Sequence, residues 1–383
     1  MAFTAQRFAG KLRNLRESFG NSLTEVASAT GIGTQALQAL ESGTATPTGD
    51  EVLILADYFK REFPWLIDDD AVDPDENMTL LLRSEGGRLA AADRHAIAEF
   101  LHLCKSQALL EELLEIRPAV AEFKFLVKGG YFKGQGIDCA QAFRKWHQLP
   151  VNGIVPDIFD WLRGAGLRVF RRPLPNSPIS GLFVRHPEVG KCILINASED
   201  LYRQRFSAAH EAGHALLDAD KEFNVSSQAD DGSIDRTEIR ANSFASAFLM
   251  PPEILKMLGT QDQWLRPEKI VDAADRLSVT IPALLSALVR DKIIDEAARF
   301  NLRNMRLRLP EKREPELDGL TGRQLDRKKA LLATGLHSKY VQQAFEAHRQ
   351  GLISSAKLAE MLLVDPSEVV ELASLFGTSL HHG

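Results

Sequence analysis

One five-residue segment limits the fold of this chain more than any other feature. His210-Glu211-Ala-Gly-His214 has the H-E-x-x-H spacing and lies in an alanine-rich, apolar run that is typical of a helix despite Gly213. Residues four positions apart share one helix face, about 6 Å apart at Cβ, so both imidazoles can reach one ion. The fold must therefore bring further ligands to this face of the helix.

The residue types in this segment are those that a hydrolytic zinc site needs. His210 and His214 are predicted metal ligands, and Glu211 is predicted to take a proton from water that the metal acidifies. The alternative is that two ordinary helix histidines flank a solvated glutamate. Because the chain has only ten histidines, we regard that coincidence as the weaker interpretation.

A hydrolytic zinc site also needs a third protein ligand and an open fourth position. Glu238 lies in the first turn of a second predicted helix, about two dozen residues further on, and we favour it as this ligand. Asp218, one turn beyond His214, and Asp235 compete for the role. Three further residues are candidates for stabilising the oxyanion: Tyr202, Arg205 and Arg240.

The chain divides by composition into four predicted segments. Residues 1–67 have short helical periodicity, and residues 68–78 form an acidic linker or solvated face, with six acids between Asp68 and Glu76. Residues 79–298 contain the H-E-x-x-H segment, with a core at 156–281. Residues 299–383 form a helical carboxyl-terminal region.

The pattern predicts an α+β fold that is mostly helical. From about Ala90 to Val127 the apolar spacing predicts one or two helices. Four glycines are expected to break this helical region: Gly129, Gly130, Gly134 and Gly136. Three apolar runs separated by proline and glycine then predict a small, mostly antiparallel sheet: 167–170, 181–185 and 192–196. Helices are predicted again at 202–219 and 234–250.

The ordered motifs between about Pro156 and Ile281 resemble the ImmA/IrrE metallopeptidases. They include Trp161-Leu-Arg-Gly-Ala-Gly166, Ile193-Leu-Ile-Asn196, Arg205-Phe-Ser-Ala-Ala-His210-Glu211-Ala-Gly213-His214 and Glu238-Ile-Arg-Ala-Asn242-Ser-Phe-Ala245. The resemblance implies a minimal zincin-like domain, a Zn²⁺ ion held by His210, His214 and Glu238, catalytic Glu211, and cleavage of a repressor. The substrate would add a strand to the sheet edge beside the metal helix. Asp218 departs from the pattern, since many relatives have histidine there.

The region from residue 8 to residue 60 is similar to a lambda-repressor-type (XRE-type) helix-turn-helix domain, here expected to have five helices. The resemblance rests on Ser22-Leu-Thr-Glu-Val-Ala27, Gly31-Ile32 and Thr34-Gln35-Ala-Leu-Gln38-Ala-Leu40-Glu41-Ser-Gly43. It implies that the helix from about Gly33 to Glu41 enters the DNA major groove, with Thr34, Gln35 and Gln38 near base edges.

The charge of this first domain argues for weak DNA binding. Residues 1–67 contain six basic and seven acidic residues, and the predicted reading helix has no lysine or arginine. Phosphate contacts normally dominate affinity, so the domain alone should bind DNA weakly, although a homodimer would gain avidity. The alternative is a helix-turn-helix fold used for protein contact.

Composition excludes several classes of protein. With 44% apolar and 26% charged residues and a net charge of −6, the chain is not disordered and has no overall basic surface for nucleic acid. No apolar run reaches about 20 residues, and the first ten residues lack a signal-peptide pattern, so we expect a cytoplasmic protein without a membrane partner. Three separated cysteines exclude a disulfide framework and a thiolate zinc site.

Together these features predict a zinc endopeptidase that cleaves a regulatory DNA-binding protein in a bacterial stress, prophage or mobile-element response. The alternative is a DNA-binding transcriptional regulator with a silent or structural metal site. A third reading is a peptidase acting within a toxin–antitoxin pair. The presence of Glu211 favours hydrolysis, because a structural zinc site has closed coordination and needs no base.

Overall fold

The structure of the protein is a computed structural model that describes residues 3–84, 89–116, 123–218, 221–227, 235–305, 307–310, 312 and 314–375. Within these residues it contains nineteen helices and one four-stranded sheet. This confirms the α+β, mostly helical fold class. The last eight residues of the predicted carboxyl-terminal region lie outside the described residues.

The amino-terminal region has the five helices expected of it. They are α1 (Ala5–Phe19), α2 (Leu23–Thr30), α3 (Thr34–Ser42), α4 (Gly49–Tyr58) and α5 (Phe63–Ile67). Ser22 and Thr48 begin α2 and α4 with capping boxes. Gly31 ends α2 with a φ of +73°, a left-handed conformation that glycine adopts without steric cost. The local sequence therefore specifies the tight turn between α2 and α3.

The other helices fall into three groups along the chain. The first group precedes the sheet: α6 (Glu76–Ser84), α7 (Ala91–Leu113), α8 (Phe132–Trp146) and α9 (Ile158–Gly164). The second group follows the third strand: α10 (Leu201–Leu217), α11 (Arg236–Leu249), α12 (Pro252–Leu258), α13 (Pro267–Leu277), α14 (Ile281–Arg290) and α15 (Glu296–Asn304). The last group is carboxyl-terminal: α16 (Gly322–Ala333), α17 (Ser338–Arg349), α18 (Ser355–Leu362) and α19 (Val369–Leu375).

The sheet is mixed but mostly antiparallel, as predicted. Its strands are β1 (Arg168–Arg172), β2 (Ile179–His186), β3 (Gly190–Asn196) and β4 (Phe223–Ser227), in the order β1-β3-β2-β4. Strand β3 is parallel to β1 and antiparallel to β2, and β4 is antiparallel to β2. The sequence analysis missed β4, because this short strand alternates two apolar residues with Asn224 and Ser226.

The two edges of the sheet differ in what covers them. At β1, Arg163 donates a hydrogen bond to the carbonyl oxygen of Val169 at 3.2 Å. A Cβ atom at Gly335 would lie only 2.3 Å from the carbonyl oxygen of Arg171, so the carboxyl-terminal region packs directly on this strand. Within the described residues, no strand pairs with the outer edge of β4. The β4 edge is thus the one that could accept an added strand.

Two hydrophobic cores lie on opposite faces of the sheet. One contains Leu182 and Leu194 and continues through α7 into the amino-terminal helices and the carboxyl-terminal helices. The other contains Phe183 and Ile193 and is covered by α8 to α15. Neighbouring strand residues enter different cores, as the period of two requires. The sheet therefore connects the amino-terminal helices to the helices that carry the H-E-x-x-H segment.

Glycine was misinterpreted at two positions. Gly134 and Gly136 lie inside α8, whereas they were expected to break the helical region. A Cβ atom at Gly136 would lie 2.3 Å from the carbonyl oxygen of Arg240 in α11. The absence of a side chain at Gly136 therefore allows α8 and α11 to cross closely.

The structure also differs from the predicted character of one segment and from one predicted segment limit. The acidic segment 68–78 is not simply a solvated linker, because Asp75 is buried and binds Arg61 and Lys105. The limit at residue 298 falls inside α15, which Asp295 caps and whose Leu302 packs into the second core. Composition could not reveal these contacts, since the partners come from distant parts of the chain.

Candidate metal centre and recognition helix

Helix α10 is held against the sheet and crosses α11 at short range. Asp200 caps its first turn by accepting a hydrogen bond from the backbone N–H of Tyr202 at 3.0 Å. A Cβ atom at Gly213 would lie 3.0 Å from the Cα atom of Ala241 and 3.3 Å from its carbonyl oxygen. The close crossing at Gly213 brings the first turn of α11 next to the histidines of α10.

His210, His214 and Glu238 converge at this crossing. The Nε2 atoms of the two histidines are 3.0 Å apart. One carboxylate oxygen of Glu238 lies 3.1 Å from Nε2 of His210, and the other lies 3.1 Å from Nε2 of His214. Asp218 and Asp235, the competing candidates, are not in the three-residue group whose ligand atoms lie within 4.8 Å of one another.

The second nitrogen of each histidine is bound by another side chain. Nδ1 of His210 lies 3.1 Å from Oδ1 of Asn242, and Nδ1 of His214 lies 2.6 Å from Oδ2 of Asp218. Hydrogen bonds of this type fix the ring orientation and direct Nε2 toward a metal. Asp218 therefore orients His214 from behind the site.

Asp218 continues into a buried polar chain. Its other oxygen binds Arg240, and Arg240 donates to Oε1 of Gln135 at 3.2 Å. Gln135 lies on α8 and donates to the carbonyl oxygen of Gly129 at 2.7 Å. A chain of side chains thus connects the orientation of His214 to α8.

Glu211 is fully buried beside the histidines. Within the described residues neither of its carboxylate oxygens has a hydrogen-bond partner of normal geometry, although the Ser226 hydroxyl is close enough to lower its pKa. Burial has the larger effect and raises the pKa of Glu211. A Cβ atom at Gly181 would lie 3.1 Å from Oε1 of Glu211, so glycine at this position of β2 leaves room for the carboxylate.

The charges of His214 and Glu238 stabilise each other. Burial lowers the pKa of His214, but hydrogen bonds with Asp218 and Glu238 more than offset this and raise it to about 9. Burial raises the pKa of Glu238, and the hydrogen bonds from His210 and His214 bring it well below its ordinary range. The Glu238 carboxylate therefore attracts both histidines electrostatically.

The three side chains fit a divalent metal with nitrogen and oxygen ligands. Two atoms bound to a tetrahedral zinc ion at about 2.1 Å lie roughly 3.4 Å apart, close to the 3.0 to 3.1 Å separations seen here. Both histidines have Nδ1 engaged and Nε2 on the shared side. The buried carboxylate of Glu211 lies next to this group, and in the described chain it has no hydrogen-bond partner of normal geometry. Two histidines and one glutamate form one of the known donor sets of catalytic zinc sites, and a hydrolytic site uses an adjacent base.

The three candidates for oxyanion stabilisation have other partners. Tyr202 donates to Asp275 at 2.7 Å, Arg205 binds the carbonyl oxygens of Val155 and Pro156, and Arg240 binds Asp218. Each therefore stabilises packing around α10 or α11.

Two residues around the metal centre had no role in the sequence analysis. Asn242 lies one turn after Glu238 on α11, so the helical period could have placed it beside the ligands. Asn224 on β4 donates to Oε1 of Glu238 at 3.3 Å. Its role depends on the pairing of β4 with β2, which no local pattern in the sequence indicated.

The predicted recognition helix presents its polar residues to solvent. Thr34, Gln35 and Gln38 are all exposed on α3. The four basic residues of α1 instead make internal hydrogen bonds: two bind carbonyl oxygens of residues 65–69, and two bind Glu41. These four are Arg7, Lys11, Arg13 and Arg16. Their positive charge is therefore partly neutralised by the protein itself.

Two regions of the chain match protein-family models. Residues 163–288 match the M78 peptidase family described as the IrrE N-terminal-like domain, a family of metallopeptidases. Residues 12–66 match the helix-turn-helix family. No curated protein matches the sequence. None of the helices in the described residues has the length and apolar character required to cross a membrane. The chain therefore carries a peptidase domain of the ImmA/IrrE type behind an XRE-type helix-turn-helix domain.

Proposed function

We propose that this chain is a zinc-dependent endopeptidase in which His210, His214 and Glu238 hold the metal and Glu211 is the catalytic base. The observation that carries this proposal is the position of Glu211. It is a buried carboxylate with no hydrogen-bond partner of normal geometry in the described chain, directly beside three convergent ligand side chains. A buried acid of this kind costs stability, so its presence is better explained by chemistry than by folding.

In this proposal each part of the site has one task. Bound zinc acts as a Lewis acid, which acidifies water and polarises the carbonyl group of the substrate. Glu211 takes the proton of the attacking water and passes it to the leaving amine, and its raised pKa suits both steps. Asn242 and Asp218 keep the two imidazoles aligned. The open edge of β4 holds the peptide in an extended conformation.

We infer that the substrate is a protein with an extended segment, and specifically a DNA-binding regulator such as a repressor. An edge strand selects for backbone that is not already paired, which favours a linker or an unfolded loop. The helix-turn-helix domain is joined to the peptidase sheet by a continuous hydrophobic core on the face opposite to the metal helix, so a partner bound there reaches the site by way of the β4 edge. We place this activity in the cytoplasm of a bacterium, in a stress, prophage or mobile-element response.

This substrate proposal is tested by comparing new protein amino termini in cells that express the wild type or Glu211→Gln. We expect a small set of termini that appear only with the wild type and that map to a DNA-binding protein. Glu222→Gln, the same change at an exposed acid just before β4, is the matched control and should behave as the wild type. Identical sets of termini in the wild type and Glu211→Gln would refute proteolysis by this site.

The helix-turn-helix domain is proposed to contact DNA weakly through Thr34, Gln35 and Gln38. The internal hydrogen bonds of the α1 bases leave little charge for phosphates, so the salt dependence of binding should be shallow. We expect Arg7→Ala to leave the slope of log K against log salt unchanged, and Gln38→Lys to steepen it by about one phosphate contact. A slope that falls by about one contact in Arg7→Ala would favour a DNA-binding regulator instead.

A further inference from the structure

A groove continues beyond the metal centre between α10 and α11. Residues at successive turns face the same side of each helix. They are Phe206, His210 and His214 on α10, and Glu238, Asn242 and Ser246 on α11. Phe206, one turn before His210, and Ser246, one turn after Asn242, lie beyond the ligands. The groove therefore starts at the metal centre and runs toward the amino-terminal end of α10.

This groove opens into a cavity of about 1060 Å³. Phe206, Asn242 and Ser246 line one side of it, and the first turn of α14 lines the other. Asn242 both lines the cavity and lies 3.1 Å from Nδ1 of His210. The cavity thus shares Asn242 with the surroundings of a proposed metal ligand.

The walls of the cavity are mainly apolar. They include Phe206, Ile281, Pro282, Leu307 and Leu309. Burying an aliphatic or aromatic side chain against such walls contributes roughly 1.5–3 kcal/mol.

Three basic residues and one acid lie at the rim of the cavity: Arg203, Arg308, Lys312 and Asp200. Arg203 pairs with Glu199 at 3.3 Å, and Lys312 pairs with Asp200. The rim therefore keeps a positive charge at Arg308, which is exposed. The apolar walls, rather than the rim, identify an apolar side chain as the occupant.

We propose that this cavity binds a large apolar side chain of the peptide substrate, at a position adjacent to the cleaved bond, and so determines specificity. The inference rests on the proposed peptidase function, because it takes the peptide to be held across His210, His214 and Glu238. The occupant is a large aliphatic or aromatic side chain, and the cavity volume leaves room for the adjoining part of the peptide as well. The groove between α10 and α11 connects this side chain to the metal centre.

The test uses the full-length zinc-loaded protein and a proteome-derived peptide library, with cleaved termini read by mass spectrometry. We expect the wild type to enrich large apolar residues at one position next to the cleaved bond by about tenfold or more. Ala283→Trp places an indole in the cavity from the first turn of α14 and should shift the preference to alanine, glycine and serine. Leu265→Trp, the same substitution type at an exposed site outside the cavity, should keep the wild-type preference.

A second variant changes the cavity in the opposite direction. Phe206→Ala removes the aromatic wall next to the proposed ligands and should weaken the preference for large apolar residues, which keeps the proposal testable if Ala283→Trp does not fold. Binding is measured separately with Glu211→Gln, which should hold a leucine-containing library peptide about tenfold more weakly when Ala283→Trp is added. Zinc content and the circular dichroism spectrum should match the wild type in every folded variant.

The outcomes separate this inference from the proposed function. Cleavage with no apolar preference, or with a preference that neither folded cavity variant alters, overturns the cavity assignment and leaves the peptidase proposal standing. A library that stays intact with the zinc-loaded wild type overturns the peptidase proposal, and the cavity assignment with it.

Discussion

Asp75 and Glu211 are both buried carboxylates, but their surroundings are opposite. Asp75 joins the amino-terminal helices to the sheet, with Arg61 and Lys105 each at 2.7 Å and His186 at 3.0 Å. Glu211 lies at the metal centre, and in the described chain its oxygens have no hydrogen-bond partner of normal geometry. The first carboxylate is fully compensated for the loss of water, whereas the second is not.

This difference separates a structural role from a catalytic one. A buried acid with cations on both oxygens holds segments of the chain together, and removing it leaves charges unpaired. A buried acid without a hydrogen-bond partner of normal geometry destabilises the fold and has a raised pKa, which suits proton transfer. Substitutions at the two positions should therefore affect different measurements.

The largest expected effect is the loss of proteolysis in Glu211→Gln. General acid–base catalysis typically contributes about 10²–10⁴-fold to a rate, and glutamine cannot take the proton. We expect the unfolding midpoint of the metal-free variant to equal or exceed that of the wild type, because the variant buries no charge. Peptide cleavage and thermal unfolding, measured on one preparation, check both parts.

Glu222→Gln again serves as the control for Glu211→Gln and should change neither quantity. A Glu211→Gln protein that cleaves within a few-fold of the wild-type rate, or that unfolds well below it, would remove the distinction between the two carboxylates.

The next largest effect is expected for Asp75→Asn, and it concerns stability. Removing one partner from a buried ion pair costs about 3–5 kcal/mol, since Lys105 and Arg61 then lose a charged partner. Urea unfolding followed by circular dichroism measures this change. The cleavage rate per folded molecule should remain close to that of the wild type.

Asp70→Asn is the matched control for Asp75→Asn, because Asp70 is an exposed acid of the same segment that pairs with Arg7 at 3.5 Å. Exposed pairs contribute about 0–1 kcal/mol. Equal destabilisation by the two substitutions would mean that burial at Asp75 has no special role.

A smaller effect is expected for Asp218→Asn. Asp218 has charged partners as Asp75 does, and it lies at the metal centre as Glu211 does. Asp218 is buried with partners on both oxygens, and one of them is a proposed metal ligand. Loss of such a partner typically weakens metal affinity by about 10–100-fold. Asp235→Asn should have little effect, because asparagine also caps a helix. The zinc affinity of the two variants is compared by competition with a chelator. A larger loss of zinc affinity in Asp235→Asn than in Asp218→Asn would mean that Asp235, rather than Asp218, supports the metal ligands.

Local patterns were enough to predict the helix of the H-E-x-x-H segment. The sequence predicted it at residues 202–219, and the structure has Leu201–Leu217. Glu238 was expected in the first turn of the next helix, and it lies there. These features follow from helical spacing and capping, which neighbouring residues determine.

Features that depend on distant contacts could not be predicted in the same way. Asp75 lies in a run of acids that composition marks as solvated, yet its partner His186 is more than one hundred residues away. Asn224 approaches Glu238 only because β4 pairs with β2. Gly136 was expected to break the helical region, but it lies inside α8 and allows this helix to cross α11 closely. In each case the fold, rather than the local sequence, decides the outcome.

The most direct test of the account is zinc stoichiometry by native mass spectrometry on protein purified without chelator. The account predicts about one zinc per chain in the wild type and in Glu211→Gln, and a strongly reduced content in His210→Ala and Glu238→Ala. Protein without zinc, or zinc that is retained in both ligand variants, would contradict a metal centre formed by α10 and α11.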